Sequence, residues 1–149
     1  MAKELASAYD AAAHEEKIYK EWEKKGFFNP DVLVKEGIAK KNADPFCIIM
    51  PPPNANGSLH IGHAVFVTLE DIMTRYARMQ GKKALWLPGA DHAGFETQVV
   101  YDKKLEKEGR SRFKMEREEL WQEIFDFTQA NKEHMEGQLR KLGASCDWS

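Results

Sequence analysis

The stretch 46–87, "FCIIMPPPNANGSLHIGHAVFVTLEDIMTRYARMQGKKALWL", decides the fold. Two short apolar runs, 46–50 and 83–87, flank a segment with helical spacing at 60–79. An unbroken apolar run of this length is typical of a strand buried on both faces, as in a parallel sheet. A strand, loop, helix and strand in about forty residues predict a βαβ unit with parallel strands, and therefore an α/β fold.

The helical segment 60–79 carries its apolar residues at helical spacing. Six of them fall on one face: Ile61, Val65, Leu69, Ile72, Tyr76 and Met79. Gly81 lies just past the predicted end, where a C′ glycine is common. A half-sheet of this kind would leave an unpaired edge and an uncovered apolar face, so self-association is an expectation from the sequence.

Three further helices are predicted, at 10–25, 94–108 and 116–142, with Gly26 and Gly143 as stops. The "FFNPD" stretch at 27–31 indicates a turn, and 32–44 is expected to be an irregular connection. In the last helix, Leu120, Ile124, Phe127 and Leu139 are predicted to point inward. Trp121 and Phe125 are expected to pack in the core with Phe127, as is Trp86 in its strand.

Composition limits the class of protein. A chain of 149 residues with a net charge of −2 fits one domain or a piece of a larger one, and it carries no overall signature of a nucleic-acid binder. Cys47 and Cys146 are far apart and are expected to be structural thiols in a reducing compartment. The polar N-terminus does not resemble a signal peptide, and no apolar run reaches about 18 residues. A cytoplasmic protein without a membrane partner is expected.

The loop 51–59 follows the first predicted strand and precedes its helix. Ligands of open α/β sheets bind beyond the carboxyl ends of strands, and a helix N-terminus attracts phosphate. Three prolines restrict the loop before a ligand arrives, and Gly57 is expected to adopt a backbone conformation that other residues resist. The loop is neither a P-loop nor a Gly-x-Gly-x-x-Gly fingerprint.

His60 and His63 lie three residues apart, so both are expected on the same side of the helix start. Imidazoles donate hydrogen bonds to phosphate oxygens, and Gly62 between them leaves room for a flat ring. We therefore expect a nucleoside triphosphate, with adenine on Gly62 and its phosphates on the two histidines. Two alternatives are a metal-binding pair, for which no third ligand is near, and histidines without a function.

A second group, "WLPGADHAGFETQ" at 86–98, follows the second strand and should open on the same edge of the sheet. Its short acid is Asp91. One hypothesis is that Asp91 caps the helix that follows. The other is that its carboxylate binds an ammonium group through a charge-assisted hydrogen bond.

These motifs resemble those of a known family. "HIGH" at 60–63 is similar to the first signature of class I aminoacyl-tRNA synthetases. The two loops together, and "LGASCDWS" at 142–149, look like the valyl branch. Ala55 and Asn56 instead resemble the isoleucyl loop, and Glu96 stands where a small apolar residue is usual, so an isoleucyl-type enzyme stays open.

The resemblance implies a Rossmann-like parallel sheet with flanking helices. Residues 1–45 would be a helical lead-in, and 46–149 the first half of an ATP- and amino-acid-binding catalytic domain that ends before the editing insertion. The family's second signature, Lys-Met-Ser-Lys-Ser, does not occur; "FKMERE" at 113–118 lacks its Ser-Lys. The implied activity is ATP-dependent activation of valine and transfer to tRNA(Val), with Mg²⁺, by a full-length enzyme that is a monomer.

The resemblance also assigns roles to residues. His60 and His63 would be the catalytic residues that hold the phosphates, and Asn56, Gly57 and Gly62 would complete the ATP site. Residues of the amino-acid site would be Pro51, Pro52, Asn54 and Asp91, with Asp91 on the ammonium. The chain alone is expected to bind ATP weakly and not to charge tRNA. A free-standing His-x-Gly-His adenylyltransferase and a non-catalytic nucleotide-binding module are the alternatives.

Overall fold

The computed structural model describes residues 7–149. Its elements in chain order are α1 (Ala11–Lys24), α2 (Pro30–Lys35), β1 (Pro45–Ile49), α3 (Ile61–Met79), β2 (Lys83–Leu87), α4 (Gly94–Lys107), a 3₁₀ turn (Arg112–Lys114) and α5 (Arg117–Leu142). The predicted helices and strands are thus confirmed to within a residue or two. The first six residues of the predicted lead-in lie outside the described part of the chain.

The two strands form the predicted parallel pair. In the register of the sheet, Phe46 is opposite Ala84 and Ile48 is opposite Trp86. Helix α3 connects the strands and packs on both of them. The βαβ unit and the α/β class are therefore confirmed, in agreement with a Rossmann-like sheet with flanking helices.

One expectation about β1 is wrong, because the strand is not buried on both faces. Exposed and half-buried residues alternate along it, and Ile49 is 70% exposed. Among residues 7–149, α3 covers one face of the strand, whereas Cys47 and Ile49 on the other face remain accessible. An unbroken apolar run shows that both faces of a strand are apolar, but not that both are covered.

The segment 32–44 is not wholly irregular, because α2 occupies its first residues. The Asn29 Oδ1 accepts hydrogen bonds from the N–H groups of Asp31 (2.9 Å) and Val32 (3.3 Å). Pro30 is the first helical residue, where its missing N–H costs no helical hydrogen bond. The Asn-Pro pair therefore starts a helix, a signal that a simple turn assignment overlooks.

Helix α3 is amphipathic, but its most apolar face is not the one that is buried. Val67, Thr74 and Ala77 pack inward. The face predicted from the spacing is exposed over its whole length: Ile61 82%, Val65 56%, Leu69 58%, Ile72 58%, Tyr76 58% and Met79 79%. This exposed helix face comes in addition to the uncovered sheet face at Ile49, which is the one expected for a half-sheet.

Helix α5 departs from its predicted packing in its first half. Leu139 is buried, whereas Leu120, Ile124 and Phe127 are half-buried. The expectation that Trp121 and Phe125 pack in the core is wrong, since they are 58% and 40% exposed. Their rings stack on each other instead, with centroids 5.3 Å apart.

The core lies between α3, the sheet, α5 and the C-terminal segment 143–149. It contains Met50, Val67, Trp86, Leu139, Ala144 and Cys146, which confirms the prediction for Trp86. Burial raises the pKa of the Cys146 thiol to about 12, so this cysteine stays protonated, as a structural thiol should. Cys47 is likewise a free cysteine, but its side chain is exposed.

Polar side chains of α3 bind the C-terminal segment. The Asp71 Oδ1 accepts hydrogen bonds from Ser145 N–H (2.9 Å) and Ser145 Oγ (2.6 Å). Arg78 donates to the Ser145 Oγ (2.6 Å) and carbonyl (2.8 Å). Asp147 N–H donates to the Trp86 carbonyl (2.9 Å), so the segment lies beside β2. These bonds join the chain end to the βαβ unit.

Within the described chain, none of the helices combines the length and apolar character needed to cross a membrane.

Asp71→Ala is expected to destabilise the fold by about 2 kcal/mol, because the Ser145 N–H and hydroxyl lose a charged acceptor in a partly buried place. Denaturant unfolding measures the change. Asp71→Asn, which keeps an oxygen acceptor, should lose less, and the exposed Glu106→Ala serves as the matched control. Equal stabilities of Asp71→Ala and Glu106→Ala would contradict the assigned role of these bonds.

Candidate nucleotide site at the start of helix α3

Two histidines close the first turn of α3 through reciprocal hydrogen bonds. His60 is the N-cap, and its Nδ1 accepts a hydrogen bond from Gly62 N–H at 3.1 Å. The Nδ1 of His63 in turn accepts from His60 N–H at 3.1 Å. The ring centroids are 4.0 Å apart, which confirms that both imidazoles lie on one side of the helix start. This is a capping box built from histidines.

The reciprocal cap determines where the ring protons are. A backbone N–H can only donate, so both Nδ1 atoms must be unprotonated acceptors. Each neutral ring therefore carries its proton on Nε2, on the side away from the capped backbone. The two histidines together present two N–H donors and hold no proton on the helix side.

Burial lowers the pKa of His63 below its ordinary value, and the neighbouring His60 lowers it further. The hydrogen bond that Nδ1 accepts favours the same neutral form, since a second proton on the ring would displace it. His63 is therefore a neutral hydrogen-bond donor at neutral pH.

Gly62 lies in contact with the ring of its own cap. A Cβ added at position 62 would lie 2.9 Å from His60 Cε1 and 3.0 Å from Nδ1. A side chain at this position would therefore meet the His60 imidazole of the chain itself. The predicted contact of adenine with Gly62 stays a prediction. Only glycine allows His60 to cap the helix in this geometry.

Helix α5 holds the loop that precedes the histidines. The Gln138 Oε1 accepts a hydrogen bond from Leu59 N–H at 2.9 Å, and the His134 Nε2 is 3.1 Å from the Ser58 Oγ. These partners are separated by 79 and 76 residues in the sequence. No local pattern marks Gln138 or His134, so sequence reasoning missed both.

The loop and the two histidines line one cavity of about 490 Å³. Its walls are Pro51, Pro52, Pro53, Asn54, Asn56, Gly57, Ser58, Leu59, His60, His63 and Phe66. The cavity therefore brings together the predicted site residues of this loop other than Gly62. Asp91, which lies on the second loop, does not line it either. Pro53 and Phe66 are wall residues that the prediction did not include.

The expectation for Gly57 is wrong. Its backbone is not in the left-handed region, and a Cβ at this position would meet no atom within 4 Å. Gly57 borders the cavity, but the loop geometry does not require a glycine there. The residue next to the site that does adopt a left-handed conformation is Ala93, with φ of 49°.

Asp91 is joined to the first loop through its backbone. Asp91 N–H donates to the Pro53 carbonyl (2.9 Å), and Ala55 N–H donates to the Asp91 carbonyl (2.7 Å). These bonds continue the parallel pairing of β1 and β2 beyond the strand ends, as the Asn54–Asp91 bridge shows. The second loop therefore opens on the same edge as the first, as predicted.

The side chain of Asp91 does not cap α4. Its Oδ1 accepts a hydrogen bond from Ala93 N–H at 2.8 Å, and Ala93 itself is the N-cap, without a side-chain hydrogen bond. The carboxylate is exposed and does not line the 490 Å³ cavity, whereas its neighbours Ala90 and His92 border a second cavity of about 300 Å³. The capping hypothesis is therefore wrong, and Oδ2 is left without a partner in residues 7–149.

Over the described chain, no group of three or more His, Cys, Asp or Glu side chains could hold a metal ion. His60 and His63 accordingly have no third ligand beside them, and their Nδ1 atoms are already used by backbone donors. The geometry favours hydrogen bonding to a ligand over metal coordination.

Comparison with known proteins identifies related chains. The family model described as "tRNA synthetases class I (I, L, M and V)" matches residues 17–149. A valine–tRNA ligase of Arabidopsis thaliana chloroplasts and mitochondria is 47% identical over 146 residues, which is 98% of this chain and 14% of that protein. Valine–tRNA ligases of Dehalococcoides mccartyi and Clostridium acetobutylicum are 47% and 45% identical over 97% and 98% of this chain, and 16% of each relative. The chain spans about one sixth of the length of these relatives.

The lowered pKa of His63 predicts a pH-dependent contribution to stability. The native state favours neutral His63, so the contribution is complete above the unfolded pKa of 6.5 and is lost as the pH falls through the lower native value. In an NMR titration, the ring of His63 should titrate below 6.5. His63→Ala should reduce the decrease in stability between about pH 7 and pH 5. Titration of His63 above 6.5 would contradict the argument.

Proposed function

Because the chain belongs to the class I tRNA synthetase family of the I, L, M and V type, we propose that it forms the N-terminal part of the catalytic domain of a valine–tRNA ligase. Residues 46–149 supply the first half of the ATP- and amino-acid-binding fold, and residues 1–45 are the helical lead-in. The observation that carries the proposal is the reciprocal His60–His63 cap at the edge of a parallel sheet.

The proposed activity belongs to the longer protein. It activates valine with ATP to valyl-adenylate and then transfers the valyl group to tRNA(Val), in the cytoplasm and as a monomer. The first step is an attack of the valine carboxylate on the α-phosphate. Such a reaction demands mainly positioning of two anions and stabilisation of charge on phosphate.

The start of α3 offers donors suited to that charge. Both Nε2–H groups lie on the side of the rings away from the backbone, and the Ile61 N–H has no acceptor among the described residues. The N-terminus of a helix of 19 residues adds a partial positive charge. We assign the phosphates to His60 and His63, with Asn56 and Gly57 on the nucleotide. Gly62 keeps His60 in place, because a side chain at this position would meet the imidazole. We assign adenine to the cavity beside His60 and His63.

The valine site is assigned to the two joined loops. Pro51, Pro52 and Asn54 line the cavity, and the backbone of Asp91 pairs with the same loop. The Asp91 Oδ1 is fixed by Ala93 N–H, which leaves Oδ2 for the ammonium group of the amino acid.

Mg²⁺ is proposed as the partner of ATP. The cavity wall offers only amide and hydroxyl oxygens, from Asn54, Asn56 and Ser58, and no carboxylate. The ion would therefore be held mainly by phosphate oxygens and water, an arrangement that is common for Mg²⁺. It would neutralise charge on the phosphates.

Substitutions of His60 separate capping from ligand binding. An asparagine at position 60 places its side-chain oxygen near the position of Nδ1 and so keeps the helix cap, but it lacks the Nε2–H donor. An alanine at position 60 loses both the cap and the donor. His60→Ala should lower the free energy of unfolding by about 1 kcal/mol, and His60→Asn should change it little. Both should weaken ATP binding to the 149-residue chain by about tenfold in calorimetry.

His14→Asn on the exposed side of α1 is the matched control and should leave both quantities unchanged. If His60→Asn bound ATP as tightly as the unchanged chain, His60 would not be a phosphate-binding residue.

Asp91→Asn in the full-length enzyme should raise the KM for valine at least about tenfold while changing the KM for ATP much less, because the lost charge faces the ammonium. The amide oxygen preserves the bond to Ala93 N–H, so the loop should remain in place. Valine-dependent pyrophosphate exchange measures both constants. The 149-residue chain alone should give no exchange at a useful rate. Equal losses for both substrates, or robust exchange by the short chain, would count against the proposal.

A further inference from the structure

Helix α5 holds the backbone on the N-terminal side of the histidine cap. The Gln138 Oε1 accepts a hydrogen bond from Leu59 N–H at 2.9 Å. Leu59 directly precedes His60, the N-cap of α3. We propose that Gln138 is a positioning residue for valine activation, which aligns the His60 imidazole with the phosphates of ATP. This role rests on the proposed function, because its effect is on phosphate chemistry.

Two hydrogen bonds fix the peptide groups on either side of Leu59. Gln138 accepts the N–H of the peptide between Ser58 and Leu59. The Nδ1 of His63 accepts the N–H of the next peptide, between Leu59 and His60. Because each peptide group is planar, two fixed groups leave the backbone at Leu59 little freedom to rotate. The His60 ring is therefore aimed by Gln138 as well as by its own cap.

The segment 57–59 depends on α5 for its hydrogen bonds. Among residues 7–149, its hydrogen bonds come from two side chains of α5, Gln138 and His134. The bond between His134 and Ser58 is exposed, where water competes for it, whereas the Gln138 bond is partly buried. An unpaired N–H costs more in a partly buried place than in water, so Gln138 is the stronger of the two anchors.

The part of α5 that carries these side chains is itself fixed. His134 and Gln138 are four residues apart and therefore share one side of the helix. Their neighbours Met135 and Leu139 are buried, with exposures of 2% and 3%. Leu59 also packs against the core cluster that contains Leu139. The anchor thus has the rigid support that the positioning of a catalytic group requires.

The direction of the His60 Nε2–H matters because charge builds on phosphate during activation. A donor held in place in advance stabilises that charge without a rearrangement at the moment of reaction. The loop that carries Asp91 is attached elsewhere, through the backbone of Pro53 and Ala55. Release of Leu59 should therefore impair the use of ATP and leave valine binding almost unchanged.

Gln138→Met in the full-length enzyme tests this role. Methionine is of similar length but has no oxygen acceptor, so Leu59 N–H loses its partner. In valine-dependent pyrophosphate exchange, kcat/KM for ATP should fall about tenfold, because a small misplacement of a catalytic group is costly. The KM for valine should change less than about twofold.

A double-mutant cycle with His60→Asn separates positioning from a general structural role. His60→Asn keeps the helix cap but lacks the donor that Gln138 aligns. In that background, Gln138→Met should lower kcat/KM for ATP less than about threefold, because the donor at position 60 is already absent. A loss caused by weakened folding would be the same in both backgrounds.

Gln122→Met is the matched control, since Gln122 lies on the same helix but donates a hydrogen bond to Asp126 of that helix. Its kcat/KM for ATP should equal that of the unchanged enzyme. Thermal unfolding checks that each variant is folded, and Gln138→Leu replaces Gln138→Met should the latter not fold.

Three results would overturn the role of Gln138 and leave the proposed function intact. They are an unchanged kcat/KM for ATP in Gln138→Met, an equal loss with and without His60→Asn, and an equal loss in Gln122→Met. Absence of valine-dependent exchange in the unchanged enzyme would overturn the proposed function, and the role of Gln138 with it.

Discussion

The reciprocal hydrogen bonds of His60 and His63 with the first turn of α3 are the constraint on which the site depends. Each Nδ1 accepts a hydrogen bond from a backbone N–H, so the proton of each ring lies on Nε2. The cap therefore fixes the helix start, the tautomer and the direction of two donors by the same two bonds. Gly62 belongs to this arrangement, because a Cβ there would meet the His60 ring.

The rest of the chain holds this turn in place. Gln138 on α5 binds the backbone one residue before His60, and α3 binds the C-terminal segment through Asp71 and Arg78. The backbone pairing of Pro53 and Ala55 with Asp91 joins the two loops at one edge of the sheet. A preformed site of this kind loses little conformational freedom when a ligand binds.

The sequence predicted the periodic elements well, and β2 lies at the predicted residues 83–87. The same periodicity could not show which apolar faces are covered, so the expectations for β1, Trp121 and Phe125 were wrong. The contacts of Gln138 and His134 with the loop span more than 70 residues and leave no local signal. The positions of His60, His63 and Asn54 around one cavity were predictable because a single loop and one helix start carry them.

A long-range ¹H–¹⁵N NMR correlation of the histidine side chains at about pH 7.5, recorded before and after ATP is added, tests the roles of His60 and His63 most directly. Before addition, we expect His60 and His63 to be Nε2–H tautomers, with both Nδ1 atoms as acceptors. On addition, ATP should shift the two Nε2–H resonances while the Nδ1 atoms stay unprotonated. A proton on either Nδ1 before addition, or an ATP response confined to other histidines, would contradict these roles.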